Sequence, residues 1–199
     1  MTNPKGWEQA PLGIMGGFKN GLNFSSRDQG INIHCLGVGD FKNHVVISGV
    51  SALSEIALNE LPAEDYLLKD GDIVFVRSNG NKELVGRSVV VYPGNSKATF
   101  GGFCIRLRLT TEKLNTAYLI HTLHNPSLKK SLLGSVRGAN ITNLNQQMLG
   151  GLEIPLPPIS LQNEFAAFVE QADKSKFALQ ITLAKLEATY KALLNKHLG

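Results

Sequence analysis

From Phe165 to Leu193, apolar residues recur at alternating intervals of four and three: Phe165, Val169, Ala172, Leu179, Leu183, Leu186, Tyr190 and Leu193. Only Lys176 breaks the series. This spacing is the seam of a coiled coil, sustained over four heptads. It predicts a helix of about 36 residues, roughly 54 Å long at 1.5 Å per residue. A lone helix has no core, so its stripe must pack either on the preceding residues or on another long helix. A domain of about 150 residues is only some 30–35 Å across. Length therefore favours a second helix, and the eight apolar residues are the expected dimer interface. Lys176 is placed to fix the register, as single polar core residues do.

In front of this stripe stands "IPLPPISLQNEF", residues 154–165, with three prolines. Proline fixes φ and lacks an amide hydrogen, so the segment reads as stiff extended backbone and not as an interior strand. Ser160 is the expected N-cap, with Asn163 at the capping-box position and Glu164 at the positive end of the helix dipole. The chain accordingly divides into a domain over 1–155 and a helix over 156–199.

The first 110 residues read mainly as strands and turns. Phe103, Ile105, Leu107 and Leu109 alternate with Cys104, Arg106 and Arg108, which predicts a strand with one face in a core and one toward water or a ligand. In "DGDIVFVRSNGNKELVGRSVVVY" (70–92), Asp70-Gly71 reads as a turn and Ile73–Val76 as a buried strand. A polar loop, Arg77–Lys82, leads back into a strand over Leu84–Tyr92. Short helices follow over Asn115–Leu123 and Ser127–Leu133, broken at Asn125-Pro126, then a helical turn near Asn145–Leu149 and a last strand. The class is α+β: a mixed, β-rich domain followed by a long helix.

Charge is segregated. Residues 1–76 carry 5 Lys and Arg against 9 Asp and Glu, residues 77–137 carry 10 against 2, and residues 138–199 carry 5 of each. A block of net +8 is what a polyanion binder needs, although a solvated face can carry it too. No apolar run reaches the roughly 18 residues of a membrane span. The N-terminus lacks the pattern of a signal peptide, and two cysteines, Cys35 and Cys104, suggest a reducing compartment, so the cytoplasm is expected. No phosphate-loop, zinc or methyltransferase motif is found, and the five histidines form no ligand set. Cys104 reads as a small buried strand residue, and His121 with His124 as a surface pair. No catalytic constellation, metal or cofactor is expected.

Two stretches carry a family likeness. "GDIVFVRSNGNKELVGRSVVV" (71–91) and "GANITNLNQQMLGGLEIPLPPISLQNEF" (138–165) resemble the hallmark segments of type I restriction–modification specificity subunits. The first is similar to the family's strand-loop-strand ending in Val-Gly-Arg. The second is similar to its run into Ile-Pro-x-Pro-Pro and the following helix. The likeness covers about 70 to 199. It implies a target-recognition domain that binds double-stranded DNA, without chemistry of its own, in a complex with modification (methyltransferase) subunits and through them the restriction subunit. Such subunits usually carry two recognition domains and two long helices. One of each here implies a half-length form, acting as a homodimer on a bipartite target, or a fragment.

The expected DNA-binding residues are Arg77, Ser78, Asn79, Asn81 and Lys82 in the polar loop, and Arg106 and Arg108 on the strand's wet face. Lys97, the loop residues Arg137 and Asn140, and Lys19 with Asn20 complete the set. Arg suits guanine, Asn adenine and Lys phosphate. Arg87 reads either as part of this surface or as a structural ion-pair residue. A coiled-coil adaptor with a protein-binding head remains the alternative from another class.

Overall fold

The computed structural model describes residues 5–42, 44–134 and 143–198. It divides into two units, residues 1–159 and 160–199. The first is built on a five-stranded sheet. Its strands are β2 (Gly16–Asn20), β4 (Val46–Ser48), β6 (Asp72–Val76), β7 (Ser88–Tyr92) and β9 (Cys104–Leu109), in the order β2-β9-β6-β7-β4. Neighbours are antiparallel except β4, which runs parallel to β7. A three-stranded sheet holds β3 (Ile31–Leu36), β5 (Ser54–Leu58) and β8 (Ala98–Phe100) in the order β5-β3-β8. β1 (Glu8–Pro11) pairs with β10 (Glu153–Leu156) in a ribbon.

The central sheet is covered on both sides, which explains why β6 reads as an unbroken apolar run. Ile73 and Phe75 face one core with Ile105, Leu107 and helical residues such as Leu119, Ile120 and Leu149. Val74 and Val76 face a second core with Val89, Val91, Cys104, Leu36 and Phe100. Strand side chains alternate by face, so two covered faces leave no polar period. The same packing corrects the expectation for β9. Arg106 does not face water: it is 4% exposed, on the face toward the second core, beside Cys104, which is buried as its reading as a small strand residue implies.

Local chemistry sets the boundaries. Gly71 turns the chain into β6 at φ +84°, which a side chain would strain. Asn115 caps α1 (Thr116–Leu123) by accepting from the amides of Ala117 and Tyr118. α2 (Pro126–Gly134) opens on proline, with the Asn125 carboxamide accepting from Ser127 N at 2.9 Å. Asn145 caps α3 (Gln146–Gly150). Leu84–Arg87, expected as strand, is a turn, so β7 begins only at Ser88. Pro155 does sit in a strand, but in the ribbon, where a missing donor is tolerated.

The second unit is the long helix. α4 runs over Ile159–Leu198, 40 residues, so Ser160 lies inside its first turn and is not the N-cap. Proline's φ is compatible with a helix entry, so the helix begins directly after Pro157-Pro158, two residues ahead of the start that a Ser160 cap implies. Leu179, Leu183, Leu186, Tyr190 and Leu193 are exposed, as are Phe177 and Ile181. At 100° per residue, the last two project roughly 120–160° away from Leu183, so the helix carries a second apolar patch that the heptad reading missed. Among the described residues, no helix is long and apolar enough to cross a membrane.

Candidate nucleic-acid interface

Strand register gathers the loops. Val76, the end of β6, pairs with Cys104, the start of β9, and Asn20, the end of β2, pairs with Ile105. Phe75 pairs with Ser88, the start of β7, and β4 starts on the same side. One end of the sheet therefore presents residues 20–24, Lys42, His44 and Val45, residues 77–87 and Gly102-Phe103 together.

The Arg77–Lys82 loop is anchored there by its backbone. Arg77 N donates to Phe103 O at 2.8 Å, and Leu144 N donates to Arg77 O at 2.8 Å. Ser78 bridges Asn143. Arg137 and Asn140, expected to join this surface, lie outside the described residues. The Asn79 carboxamide oxygen accepts from Asn81 N, and that of Asn81 accepts from Glu83 N. With one lone pair of each oxygen engaged in these turns, the two NH₂ groups are the readier contacts. They suit acceptors such as phosphate oxygens or guanine O6 and N7.

The remaining expected residues divide by position. Asn20 is exposed at the loop-bearing end. Lys97 is exposed but follows β7, which carries the chain to the opposite end. Lys19 sits on the edge strand β2, paired with Asp65 and with its ammonium 4.3 Å from the Tyr66 ring centroid. The hydrogen bond to Asp65 raises the Lys19 pKa and lowers that of Asp65. Arg106 is buried mid-sheet, Nη2 3.7 Å from Asp65, with Nε and Nη1 without hydrogen-bond partners among the described residues. Arg108 is fastened to Asp72 and to Leu67 O at the far end. Arg106 is an interior group and Arg108 a half-buried one, held by Asp65, Leu67 O and Asp72, so the two do not form a free wet face.

Sequence reasoning missed the flanks of the loop. Phe103, expected in the core, precedes β9 and is 67% exposed; Phe24 is 44% exposed. Both line a cavity of about 330 Å³ with Asn23 and Gly102. Gly101-Gly102 was the available signal, since paired glycines interrupt the alternation. Cys35 and Cys104 line the same cavity; burial pushes the Cys35 thiol up to about 12 and raises that of Cys104 as well. On the other flank, Arg87 donates from Nη1 to Phe41 O and Lys42 O, both at 3.4 Å, and among the described residues it forms no ion pair.

A family model described as "Type I restriction modification DNA specificity domain" matches residues 4–187. The type I restriction enzyme StySPI specificity subunit of Salmonella potsdam is 29% identical over 202 residues, which cover 96% of this chain and 42% of that protein. The EcoKI specificity subunit of Escherichia coli is 26% identical over 186 residues, covering 87% and 38%. The chain thus spans about two fifths of the length of these relatives. Among solved structures, one described as the structural basis of complex assembly and conformational transition of the type I R-M system aligns with a TM-score of 0.66 at 20% identity, covering 97% of this chain and 45% of that one. The HsdS subunit from Thermoanaerobacter tengcongensis aligns with a TM-score of 0.60 at 20% identity, covering 92% and 41%. These two likenesses concern the fold, a β-rich domain followed by a long helix.

Proposed function

The chain belongs to the family of type I restriction modification DNA specificity domains, and from that membership we propose that it reads half of a DNA target through the loop-bearing end of its five-stranded sheet. The observation that carries this reading is the register: it collects Arg77–Lys82, Asn20, Phe24 and Phe103 at one end. Arg77 and the two asparagine amides are donors suited to base edges and phosphates, and Phe103 is an apolar contact for a thymine methyl group. The chain performs no chemistry itself and places modification subunits, and through them a restriction subunit, on the site.

The target is bipartite. α4 carries the Leu179–Leu193 stripe exposed on one side. Two copies meeting along it in opposite directions hold two heads at a fixed separation and turn them by a two-fold axis. The site is then an interrupted palindrome whose spacer follows helix length. The patch of Phe177 and Ile181 remains available on the other side for a modification subunit.

Sequencing the methylated sites of cells that express this chain with its modification subunits tests the reading. The expected outcome is methylation at one interrupted palindrome that disappears when the chain is omitted. Methylation unchanged by its removal overturns the proposal. Methylation at an asymmetric bipartite site overturns the homodimer while leaving DNA recognition in place.

A further inference from the structure

A cavity of about 390 Å³ opens beside Arg87, where the β6–β7 connection returns to the sheet. Its titratable lining is Lys42, His44, Arg87, His124 and Lys129, with no carboxylate among the lining residues. The three cations come from distant parts of the chain: Lys42 ahead of β4, Arg87 before β7 and Lys129 on α2. Among the described residues, none of them forms an ion pair. Their contacts are with neutral carbonyls, Lys129 Nζ to Glu83 O at 3.2 Å and Arg87 to Phe41 O and Lys42 O. Like charges gathered without a counter-charge repel one another, and an anion between them reverses that term.

A second observation points the same way. Ser88 lines this cavity, is 2% exposed, and its hydroxyl is buried with no hydrogen-bond partner among the described residues. A buried hydroxyl without an acceptor is unfavourable, and most such groups in folded proteins are satisfied. An anionic oxygen in the cavity supplies the acceptor. The volume falls at the lower end of the range for ligand pockets, about 300–1,000 Å³, which suits a phosphate together with its sugar.

We propose that this cavity is a phosphate-ester site, and that the ester is a backbone phosphate of the duplex bound at the same sheet end. The site itself stands on its own chemistry; the choice of a backbone phosphate rests on the functional reading above. Gly86 N donates to Val76 O at 3.0 Å and Val76 N to Arg87 O at 2.9 Å, so the cavity abuts the base of the Arg77 loop. A duplex contacting that loop has a strand within reach of the cavity. A free nucleotide offers the same group, and the experiment separates the two.

The purified full chain is compared with a Lys42→Met, Lys129→Met double variant, which keeps both aliphatic stems, and with an Arg77→Ala, Lys82→Ala pair. Duplex affinity is measured across a salt series, and adenosine monophosphate is titrated while the His44 and His124 ring signals are followed by NMR. The expected result is a loss of about tenfold in duplex affinity for the double variant, with a salt slope shallower by about one for each phosphate no longer neutralised. Ring signals that shift with the nucleotide, while duplex affinity stays unchanged, support the phosphate site with a free nucleotide as its ligand. Unchanged duplex affinity with silent ring signals overturns the proposal, and if the Arg77 pair still weakens binding, DNA reading by the loop survives. If instead the cavity variant weakens binding and the Arg77 pair does not, the loop reading fails and the cavity stands. Should the double variant melt early, the nucleotide titration of the unmodified chain decides.

Discussion

Arg108 grips Asp72 with two hydrogen bonds, Nε to Oδ1 at 2.8 Å and Nη2 to Oδ2 at 2.7 Å, and the carboxylate is 1% exposed. Lys69 N adds a third bond to Oδ2 at 2.8 Å. The pair joins β9 to the start of β6 and lies at the end of the sheet opposite the loops. Arg108→Ala leaves a buried carboxylate without its cation, so we expect a loss of about 3–5 kcal/mol in unfolding free energy. Denaturant titration measures it. Where the variant is still folded, its DNA affinity should match the parent's; a selective loss of DNA binding without loss of stability contradicts the structural role.

Arg77 and Lys97 are alike in the sequence and unlike in the fold. Arg77 is held in the loop beside Phe103, whereas Lys97 follows β7 at the other end. Arg77→Ala should weaken cognate DNA binding by about 1–3 kcal/mol in the assembled complex and relax discrimination at one base position. Lys97→Ala should leave affinity and salt slope unaltered. A competition assay against cognate and scrambled duplexes checks both, and equal losses for the two variants would move the interface away from the Arg77 loop.

What the sequence made legible was local. The strand at Ile73–Val76, the short helix ending at Leu123, the break at Asn125-Pro126 and the long helix all rest on interactions within a few residues. What it hid was decided by partners far along the chain. Arg106 and Arg108 alternate with apolar residues as a wet face would, yet Asp65 and Asp72, from 41 and 36 positions away, hold them on that side. Clustering by charge in sequence thus joined Lys97 to Arg77, and only strand direction separates them. Lys42 and Lys129 gave no signal for the same reason: their common neighbour, Arg87, is 45 and 42 positions distant.

Lys19 and Asp65 give a pH signature. The hydrogen bond between them lowers the Asp65 pKa from its ordinary 3.8 and raises that of Lys19 from 10.5. The Asp65 contribution is present above 3.8 and disappears as pH falls through its lowered value. The Lys19 contribution is present below 10.5 and disappears as pH rises through its raised value. A Lys19→Met variant should therefore melt below the parent by a constant amount between pH 3.8 and 10.5, and the two curves should converge in stronger acid. The pair is solvent-exposed, so the gap should be small and should shrink with salt. Parallel curves throughout the acid range would show that the pair contributes nothing.

The α4 stripe yields the most decisive test. Leu183 is 57% and Leu186 62% exposed, and Tyr190 and Leu193 continue the same side. Apolar surface arranged in heptads gains about 25 cal/mol per Å² when a second helix covers it, and a helix of 40 residues offers it over several turns. We expect the chain to sediment as a dimer at micromolar concentration. Leu183→Glu with Leu186→Glu sets charges into that seam, where burial of unpaired carboxylates is unfavourable, so the double variant should sediment as a monomer. Its domain core, built from residues ahead of α4, should melt as in the parent. Phe177→Glu with Ile181→Glu alters the other side and should leave the dimer intact. Heads released from a dimer read a half-site each, so the Leu183 and Leu186 variant should also lose methylation at the interrupted palindrome. A parent chain that stays monomeric at every concentration tested removes the homodimer, and with it the prediction of palindromic sites.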